Sequence, residues 1–294
     1  RGPGQGRNGG ALMPTAVVTG AGRGLGAAIA DRFQAAGWQV VRADIEGTDT
    51  YLDVTDADAC RQLARQAQPD VEGTDTYLDV TDAQGCRELA EAVQPDVWIN
   101  NAGVLGAGDA ATQDDDVIDR VVAVNLLGVI HGTRAAVAVM RERDAGRGAG
   151  HIINVGSLAS WVPVPGECVY AATKAGVLSF TLGLTAELAQ QGVTGVRLGV
   201  ICPDGMLTPM ITDVLDDPAI AMTFTGFRQV TPEHVADEVL ELVHRPRRVV
   251  SVPHWRGAQV RLFSAIPDVA LRLAPVFMRL GRAGQDRVRQ RLGR

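Results

Sequence analysis

An α/β fold built on one doubly wound parallel sheet is predicted by three features of the sequence. Short runs of β-branched and aliphatic residues alternate with longer segments that have helical periodicity along most of the chain. The first such run is followed by a glycine-rich turn and a helix, and the hydrophobic fraction of 46% is ample for a large core. Alternating strands and helices are typical of parallel sheets covered on both faces. We therefore expect a single domain with its ligand groups at the carboxyl ends of the strands.

The first strand and the turn after it are predicted close to the start of the chain. A β-branched run, Thr-Ala-Val-Val-Thr at residues 15–19, precedes Gly-Ala-Gly-Arg-Gly-Leu-Gly at residues 20–26 and a helix that ends at Gly37. In such a strand–turn–helix unit, backbone amides and the helix N-terminus can approach a pyrophosphate. We therefore expect a dinucleotide site here, although many turns of this kind are rich in glycine without binding one.

An acidic residue at the end of the second strand bears on which dinucleotide binds. The strand is predicted at residues 38–43 and ends at Asp44. A carboxylate there can accept hydrogen bonds from both ribose hydroxyls of NAD and repel the 2′-phosphate of NADP. Arg23 and Arg42 favour the phosphorylated cofactor, but alternation along the strand directs Arg42 away from the site. A solvated carboxylate at a strand end is the alternative.

A tandem repeat follows, in which residues 45–70 recur as residues 71–96 with 19 of 26 positions identical. Each copy contains Tyr-Leu-Asp-Val, which predicts a strand, and Cys-Arg-x-Leu-Ala, which predicts a helix. A parallel strand needs a crossover of about a dozen residues or more, and too few residues separate Asp44 from the first copy's strand. We therefore expect the second copy's strand, with Asp79, to join the sheet and the first copy's helix to be the crossover. The equivalent Asp53 then lies in an inserted, more exposed segment.

The centre of the chain carries the residues that indicate chemistry. Tyr170 and Lys174 lie four residues apart in a predicted helix, so they share one face of it. A nearby ammonium favours the phenolate, which moves the tyrosine pKa toward the range of a useful general base. Lys174 is the one lysine among 28 basic residues. Ser157 follows a predicted strand, from which its hydroxyl can reach the tyrosine and hold a substrate oxygen. An ordinary pair on a helix surface is the alternative.

The other elements complete the alternation of strands and helices. Asn125 lies in the middle of a predicted helix, which is unfavourable unless its amide is satisfied in the core or has a function. Residues 206–229 are apolar and irregular, which suits a lid over an apolar ligand, although a packed loop is nearly as well supported. The remaining elements are predicted as strands at 97–100, 151–156, 196–201 and 248–253, and as helices over 115–143, up to about 191, and from 231 onward.

Residues 254–294 are expected to be a basic amphipathic extension of a domain that spans residues 13–253. The extension carries nine arginines and two aspartates. Such a helix can lie on an anionic membrane surface, and packing against the parent domain or a second subunit is the simpler alternative. Pro267 and Pro275 interrupt its apolar residues, which recur at spacings of three and four and are Phe263, Ile266, Ala270, Leu273, Phe277 and Leu280.

Composition narrows the class of protein further. The net charge of −6 gives no indication of nucleic-acid binding. The four cysteines show no Cys-x-x-Cys spacing, which fits reduced thiols in the cytoplasm, and no metal site is expected. Residues 1–12 lack the apolar segment of a signal peptide, so we expect a disordered leader or cloning remnant there, with Met13 as the natural start.

Together these segments resemble the classical short-chain dehydrogenases/reductases, from about residue 15 to residue 253. The resemblance implies a Rossmann-like fold with strand order 3-2-1-4-5-6-7 and reversible hydride transfer between NAD, or else NADP, and a secondary alcohol or ketone. Pro203-Asp-Gly205 departs from the family's usual Pro-Gly turn, and the repeat and the tail lie outside the common pattern. The matching pieces agree in order and spacing and are Thr19-Gly20-x-x-x-Gly24-x-Gly26, Asn100-Asn101-Ala102-Gly103, Asn125, Ser157 and Tyr170-x-x-x-Lys174.

The resemblance also implies a role for each site residue. Tyr170 exchanges the proton of the substrate hydroxyl, and Lys174 binds the nicotinamide ribose and lowers the tyrosine pKa. Ser157 holds the substrate oxygen, and Asn125 supports a water-linked proton relay. The aspartate of the third strand, which is Asp79 by the crossover argument, contacts the adenine. The full set of expected cofactor-binding residues is Gly20, Arg23, Gly24, Leu25, Gly26, Asp44, Asp79, Val80, Asn101, Ala102, Gly103, Tyr170, Lys174, Pro203 and Thr208.

Three classes of function are therefore open at this point. The first is an oxidoreductase acting on a small apolar alcohol or ketone, with a steroid-like or retinoid-like skeleton as one form of it. The second is a dinucleotide-binding regulatory protein with little turnover. The third is a membrane-surface protein anchored through residues 256–294. A cytoplasmic homodimer or homotetramer is expected, with membrane association through the tail as the alternative location.

Overall fold

A parallel sheet of seven strands forms the centre of the protein in the computed structural model, which describes residues 13–45, 74–226 and 229–293. The strands are β1 (Thr15–Thr19), β2 (Gln39–Asp44), β3 (Thr74–Tyr77), β4 (Val97–Asn100), β5 (Gly150–Val155), β6 (Val196–Pro203) and β7 (Val249–Val252). Neighbouring strands follow the order β3-β2-β1-β4-β5-β6-β7, and each pairing is parallel. The predicted fold class and strand order are therefore confirmed.

Helices cover both faces of this sheet. They are α1 (Gly24–Ala35), α2 (Ala83–Val93), α3 (Asp115–Val122), α4 (Gly128–Arg141), α5 (Cys168–Gln190), α6 (Pro209–Thr212), α7 (Pro232–His244), α8 (His254–Ser264) and α9 (Pro267–Arg291). The buried Ile29 of α1 and Val239 of α7 share one core with Val18 of β1. Met140 of α4 belongs to a second core with Val17, whose side chain points to the other face of the strand. Burial on both faces explains why the central strands are almost entirely apolar.

The second copy of the repeat supplies β3, as the crossover argument predicts. β3 pairs with β2 so that Tyr77 lies opposite Asp44. The strand lies three residues earlier than the predicted Tyr-Leu-Asp-Val. Asp79 Oδ1 accepts hydrogen bonds from the backbone and hydroxyl of Thr81 at 2.9 and 2.8 Å, and this turn places Asp79 beyond the end of the strand. The first copy's helix and Asp53 lie outside the described residues, so their positions stay predictions.

The helix predicted over residues 115–143 is interrupted near its middle. A π-helical turn at Ala123–Leu127 joins α3 to α4 and contains Asn125. The Asn125 side chain is fully buried, where its Oδ1 accepts a hydrogen bond from Val104 N and its Nδ2 donates to Val104 O, both at 2.8 Å. Turns of this kind are rare and occur frequently at functional sites.

The segment at 206–229 and the tail are more ordered than the sequence indicated. The segment contains α6 and a 3₁₀ helix at Pro218–Phe224, while Phe227 lies outside the described residues. The tail forms α8 and α9. Pro267 occupies the first turn of α9, where proline is tolerated, and Pro275 lies inside the helix without ending it.

Two helical segments, Asp115–Arg141 and Cys168–Gln190, are long and apolar enough to cross a membrane by length and composition. Both pack against the sheet, where Met140 and Leu188 contribute to the second core. The core helices of soluble proteins pass the same test, so these two segments do not establish a membrane span.

Candidate active site

One cavity of about 730 Å³ opens at the carboxyl ends of the strands. Of the 17 residues that the sequence singles out, 15 line it, while Gly26 and Asn125 lie behind its wall. The residues brought together there are Gly20, Arg23, Gly24, Leu25, Asp44, Asp79, Val80, Asn101, Ala102, Gly103, Ser157, Tyr170, Lys174, Pro203 and Thr208. Parallel strands bring their carboxyl ends to one edge of the sheet, which explains how such distant positions meet.

The glycine turn between β1 and α1 forms one end of the cavity. Gly20 and Gly24 have φ values of +65° and +60°, a region that side chains with a Cβ rarely adopt. A methyl group on Gly26 would lie 2.0 Å from Gly20 O, so α1 can begin this close to the turn only because residue 26 is glycine. Across the cavity, Thr208 and Pro203 come from the segment around the end of β6, and Thr208 lies against Gly24.

The turn after β4 is fastened to the glycine turn. Asn101 Nδ2 donates hydrogen bonds to Thr19 O and Gly20 O, both at 3.0 Å. Thr19 Oγ1 in return accepts from Asn101 N at 3.0 Å and from Ala102 N at 3.2 Å. These bonds fix Ala102 and Gly103 beside the glycine turn.

Two carboxylates face the same end of the cavity. Asp44 follows the register of β2 to its end, where Oδ2 accepts from Gly22 N and Oδ1 from Ile45 N, both at 2.7 Å. Asp79 contributes its Oδ1 to the Thr81 turn, and among the described residues its Oδ2 has no hydrogen-bond partner. Arg42 is directed away, as predicted, because its guanidinium bonds to Asp31 on α1.

These features fit the adenosine and pyrophosphate portion of a dinucleotide. The turn offers backbone amides at a helix N-terminus, and Gly20 and Gly24 leave the space that side chains would fill. Asp44 and Asp79 line the same cavity, where the carboxylate of Asp44 can accept from hydroxyl groups of a ribose and Oδ2 of Asp79, which has no partner among the described residues, can accept from an amino group. The residues present therefore suit NAD(P) at this end.

Ser157, Tyr170 and Lys174 meet at the other end. Lys174 is buried in α5, its Nζ donates to Val155 O at 2.9 Å, and this nitrogen lies 5.7 Å from the centre of the Tyr170 ring. Burial lowers the pKa of Lys174 to about 8. Gly103 lies close to both polar side chains of the expected relay, since a methyl group there would lie 3.3 Å from the amide oxygen Oδ1 of Asn125 and 3.7 Å from Lys174 Nζ.

The pKa of Tyr170 is a correction to the sequence expectation. Burial raises it above the usual value near 10, and the neighbouring carboxyl of Glu167 raises it further. A hydrogen bond with the Ser157 side chain acts in the opposite direction and lowers the Tyr170 pKa. The expected lowering by Lys174 is therefore not observed, because burial is the larger effect and the ammonium is directed toward Val155 O.

A buried ion pair accounts for the unusual Pro203-Asp-Gly205 turn. Asp204 Oδ2 accepts from Arg256 Nε at 3.0 Å, and both side chains are nearly buried, at 12% and 11% exposure. Arg256, which lies in the tail, also donates to Thr225 Oγ1 at 3.0 Å and to Gln259 Oε1 at 2.7 Å. One guanidinium therefore joins the β6 turn, the loop before residue 226 and α8, and the sequence gave no signal of this pairing beyond the departure itself.

The tail also forms part of the cavity wall, which the boundary placed after residue 253 does not anticipate. The apolar stripe predicted in the tail divides between two surfaces. Phe263, Ala270 and Phe277 line the cavity, with the Phe263 and Phe277 rings 5.6 Å apart. Ile266, Leu273 and Leu280 are exposed, at 44%, 36% and 55%. The tail, which comprises α8 and α9, therefore encloses the cavity with one face and presents an apolar row to its surroundings with another.

The far half of α9 holds the loop that covers the cavity. A methyl group on Gly281 would lie 2.1 Å from Ala221 O, and one on Gly284 would lie 2.4 Å from Phe224 O, so glycine lets the helix contact the 3₁₀ segment directly. Gln285 Nε2 donates to Leu215 O and Asp217 O, both at 2.8 Å. The expected lid is thus a packed loop, whose Met206, Met210, Ile211 and Met222 line the cavity.

A dinucleotide cradle that opens onto a tyrosine, a serine and a lysine defines a class of protein, the dinucleotide-linked oxidoreductases. Comparison with known proteins makes the assignment specific. The family model described as short chain dehydrogenase matches residues 14–219. The chain therefore belongs to the short-chain dehydrogenase family.

Individual relatives extend over most of the chain. The chain is 36% identical over 207 residues to 3beta-hydroxysteroid dehydrogenase 1 of Eggerthella lenta, covering 69% of this chain and 75% of that protein. It is 30% identical over 259 residues to D-beta-hydroxybutyrate dehydrogenase of Rhizobium meliloti, covering 88% and 94%. The crystal structure of a short-chain dehydrogenase/reductase from Burkholderia phymatum in complex with NAD has a TM-score of 0.70 at 24% identity, covers 88% of this chain and 95% of that one, and supports the fold.

Proposed function

We propose that this protein interconverts an apolar secondary alcohol and its ketone with NAD(H) as the redox partner. The observation that carries the proposal is the meeting of Ser157, Tyr170 and Lys174 in the same cavity that holds the glycine turn and Asp44 at its other end. NAD supplies the carbon that accepts or donates hydride. The protein supplies orientation and the path of the proton.

The proposed roles follow from the position of each group. In the oxidation direction the carbinol C–H bond breaks with its electron pair, the O–H bond releases a proton, and a C=O bond forms. Tyr170 receives the proton and Ser157 holds the oxygen, since both side chains line the same cavity. Lys174 and Asn125 stand on either side of Gly103, where a relay to the surface can pass. Because burial raises the Tyr170 pKa, catalysis as a base should increase with pH.

NAD is proposed as the preferred cofactor because of Asp44. Its carboxylate is held at the end of β2 and would repel a 2′-phosphate. Arg23 also lines the cavity and is the residue that could favour NADP. Comparing kcat/KM for the two cofactors tests this, and Asp44→Ala should narrow the preference. A parent enzyme that prefers NADP would show that Arg23 is the stronger determinant.

The substrate is proposed to be apolar because side chains of the loop and the tail surround the Tyr170 end. Met210, Met222, Phe263 and Phe277 are among them. A panel of secondary alcohols of increasing apolar size, followed by NADH absorbance, tests both the reaction and this preference. NAD binding without turnover of any alcohol or ketone would instead support the regulatory alternative.

The exposed row on α9 supports a second proposal, that the tail contacts an anionic membrane surface. Val269, Leu273, Val276 and Leu280 recur at spacings of four and three and are between 36% and 55% exposed. Arg272 and Arg279 are also exposed, one on either side of Val276 in the sequence. In a two-fold contact centred near Val276, Arg272 of one copy would lie near Arg279 of the other, and this like-charge repulsion favours a membrane over a second subunit at this surface.

Co-sedimentation with vesicles distinguishes the outcomes. The parent should sediment with mixed phosphatidylcholine–phosphatidylglycerol vesicles, less with phosphatidylcholine alone, and less at high salt. Leu280→Glu should abolish sedimentation, while Leu182→Glu, at a similarly exposed position on α5, should leave it. No sedimentation, or a dimer that Leu280→Glu dissociates, would contradict the proposal.

A homodimer or homotetramer and a cytoplasmic location remain proposals. Exposed apolar residues outside the tail, Val117 on α3, Leu127 in the π-helical turn and Leu182 on α5, support self-association there. Light scattering of the parent and of Leu182→Glu tests the oligomer without disturbing the tail.

A further inference from the structure

Glu167 is a buried carboxyl group in the cavity that the proposed reaction does not use. The residue is 5% exposed and lines the cavity immediately before α5, and its carbonyl accepts the first helical hydrogen bond from Ala171 N at 2.8 Å. It precedes Tyr170 by three residues, and both residues line the cavity. The carboxyl group is close enough to Tyr170 to contribute to raising the pKa of its hydroxyl group.

Only half of this carboxyl group is satisfied by the protein. Oε1 accepts a hydrogen bond from Thr223 Oγ1 at 2.8 Å. Within residues 13–45, 74–226 and 229–293, Oε2 has no hydrogen-bond partner. Oε2 is not among the buried side-chain atoms that lack a partner, so it is accessible from the cavity that Glu167 lines, where a ligand group can bond to it.

The basic groups at this end are already engaged elsewhere. The three nitrogens of Arg256 bond to Asp204, Gln259 and Thr225. Lys174 Nζ bonds to Val155 O. Among the described residues Glu167 forms no ion pair, and burial raises its pKa to about 7. The group therefore passes between a neutral acid, which can donate, and a carboxylate, which can accept, close to neutral pH.

A purely structural role explains only part of this arrangement. The bond to Thr223 fastens the covering loop to the start of α5, and a glutamine or a serine could do the same. That role does not use Oε2. A carboxyl group that lines the same cavity as Tyr170 is what a second contact to the substrate requires.

We propose that Glu167 recognises a second, uncharged oxygen of the substrate, a hydroxyl or keto group on a carbon close to the one that reacts. The substrate class is then an apolar secondary alcohol or ketone with a vicinal hydroxyl or keto group. Hydroxy acids are disfavoured, because their carboxylate would meet the Glu167 carboxyl group, which forms no ion pair within the part of the chain that the structure describes. This inference rests on the proposed function and makes its substrate class narrower.

The test compares two alcohols that differ by one hydroxyl group, 1-tetralol and tetralin-1,2-diol, with NAD as acceptor. The parent should have a kcat/KM about tenfold higher for the diol, the size expected for one hydrogen bond to a buried group. Glu167→Ala should remove that preference, mainly through the KM for the diol. Glu167→Gln should keep most of it, since an amide can still bond to a hydroxyl group.

The Thr223→Val variant distinguishes substrate recognition by Glu167 from its structural role in holding the covering loop. This variant removes the bond to Oε1 while nearly keeping the side-chain shape, so the preference for the diol should remain. If Thr223→Val removes the preference as completely as Glu167→Ala does, Glu167 acts through the loop and the proposal is overturned. A parent without a preference for the diol, or a Glu167→Ala enzyme that keeps it, also overturns the proposal.

Failure of the proposed function gives a different result. If the parent oxidises neither alcohol, the reaction assignment fails. The role of Glu167 can then still be tested by measuring whether each alcohol binds to the protein. Thermal shifts of the NADH-bound protein are then measured with each alcohol. A larger shift with the diol that disappears in Glu167→Ala supports the recognition role, and equal shifts in parent and variant overturn it.

Discussion

The two ends of the cavity are held in shape by different kinds of contact. At the Asp44 end the fixing bonds involve backbone groups of adjacent strands, such as Asn101 Nδ2 to Thr19 O and Asp44 Oδ2 to Gly22 N. At the Tyr170 end the hydrogen bonds join segments that are far apart in sequence, such as Glu167 with Thr223 and Arg256 with Asp204. The first end is suited to one constant ligand, the dinucleotide. The second can vary its ligand because its wall comes from a loop and a tail that the sheet does not dictate.

Removing the Tyr170 hydroxyl should have the largest effect, confined to chemistry. Tyr170→Phe takes away the proton acceptor and little volume, so kcat should fall by roughly 10²- to 10⁴-fold while the NAD dissociation constant stays near that of the parent. Tyr77→Phe is the matched control, since Tyr77 does not line the cavity. Turnover of Tyr170→Phe within tenfold of the parent would rule out the proposed role.

Breaking the ion pair between Asp204 and Arg256 should destabilise the Tyr170 end selectively. Arg256→Met leaves a nearly buried carboxylate unpaired, so the free energy of unfolding should fall by about 3 kcal/mol and the substrate KM should rise. Adding Asp204→Asn should recover part of the loss. Urea unfolding of the two single variants and the double variant gives the coupling free energy between Asp204 and Arg256. Losses of unfolding free energy that simply add would show that the pair does not join the tail to the β6 turn.

Glu167 should make stability depend on pH in a defined window. Burial raises its pKa from 4.5 to about 7, so the folded protein retains a proton that the unfolded chain releases between those values. The unfolding free energy should therefore decrease as pH rises from about 4.5 to 7, by on the order of 3 kcal/mol from this group, and level off above. Glu167→Gln lacks this contribution. Urea unfolding at pH 5 and pH 8 should show a smaller loss in the variant, and identical losses would contradict the burial of an ionisable group here.

Substitution of the repeated aspartates, Asp79 and Asp53, should have the smallest effect, which is on NAD binding at the Asp44 end of the cavity. Asp79→Ala should weaken NAD binding by about 1–3 kcal/mol if its free oxygen accepts from the adenine. Asp53→Ala should change it very little, because the second copy of the repeat forms β3. NAD titration into both variants decides the matter. A larger loss in Asp53→Ala would mean that the first copy contributes to the site.

The sequence predicted the Asp44 end well because local features set it. Glycines at positions 20, 24 and 26 and an acid at the end of β2 each have a backbone or charge reason that is visible in a short window. The crossover length also identified the repeat copy that enters the sheet, although β3 ended three residues early at the Asp79 turn. The strand order followed from the resemblance and from alternation.

The sequence predicted that Ser157, Tyr170 and Lys174 lie together, but it did not predict the walls around them. Glu167, Asp204 and Arg256 have no local signal, because their importance depends on a loop and a helix that approach from distant positions in the chain. The direction of the Tyr170 pKa was also missed, since burial depends on the same tertiary contacts. Periodicity detected the apolar stripe of the tail but could not show that its residues divide between the cavity and an exposed face.

The most direct test of the account is a comparison of two adjacent residues on α9, Phe277 and Val276. Phe277 lines the cavity, whereas Val276 is 49% exposed on the outer side of the same helix. Phe277→Ala should lower kcat/KM for an apolar alcohol roughly tenfold or more, because it removes part of an apolar wall, and should leave the NAD dissociation constant unchanged. Val276→Ala should change neither quantity. Equal alcohol kinetics in the two variants, or a loss of NAD binding in Phe277→Ala, would contradict the claim that the tail builds the substrate end of the cavity and leaves the dinucleotide end alone.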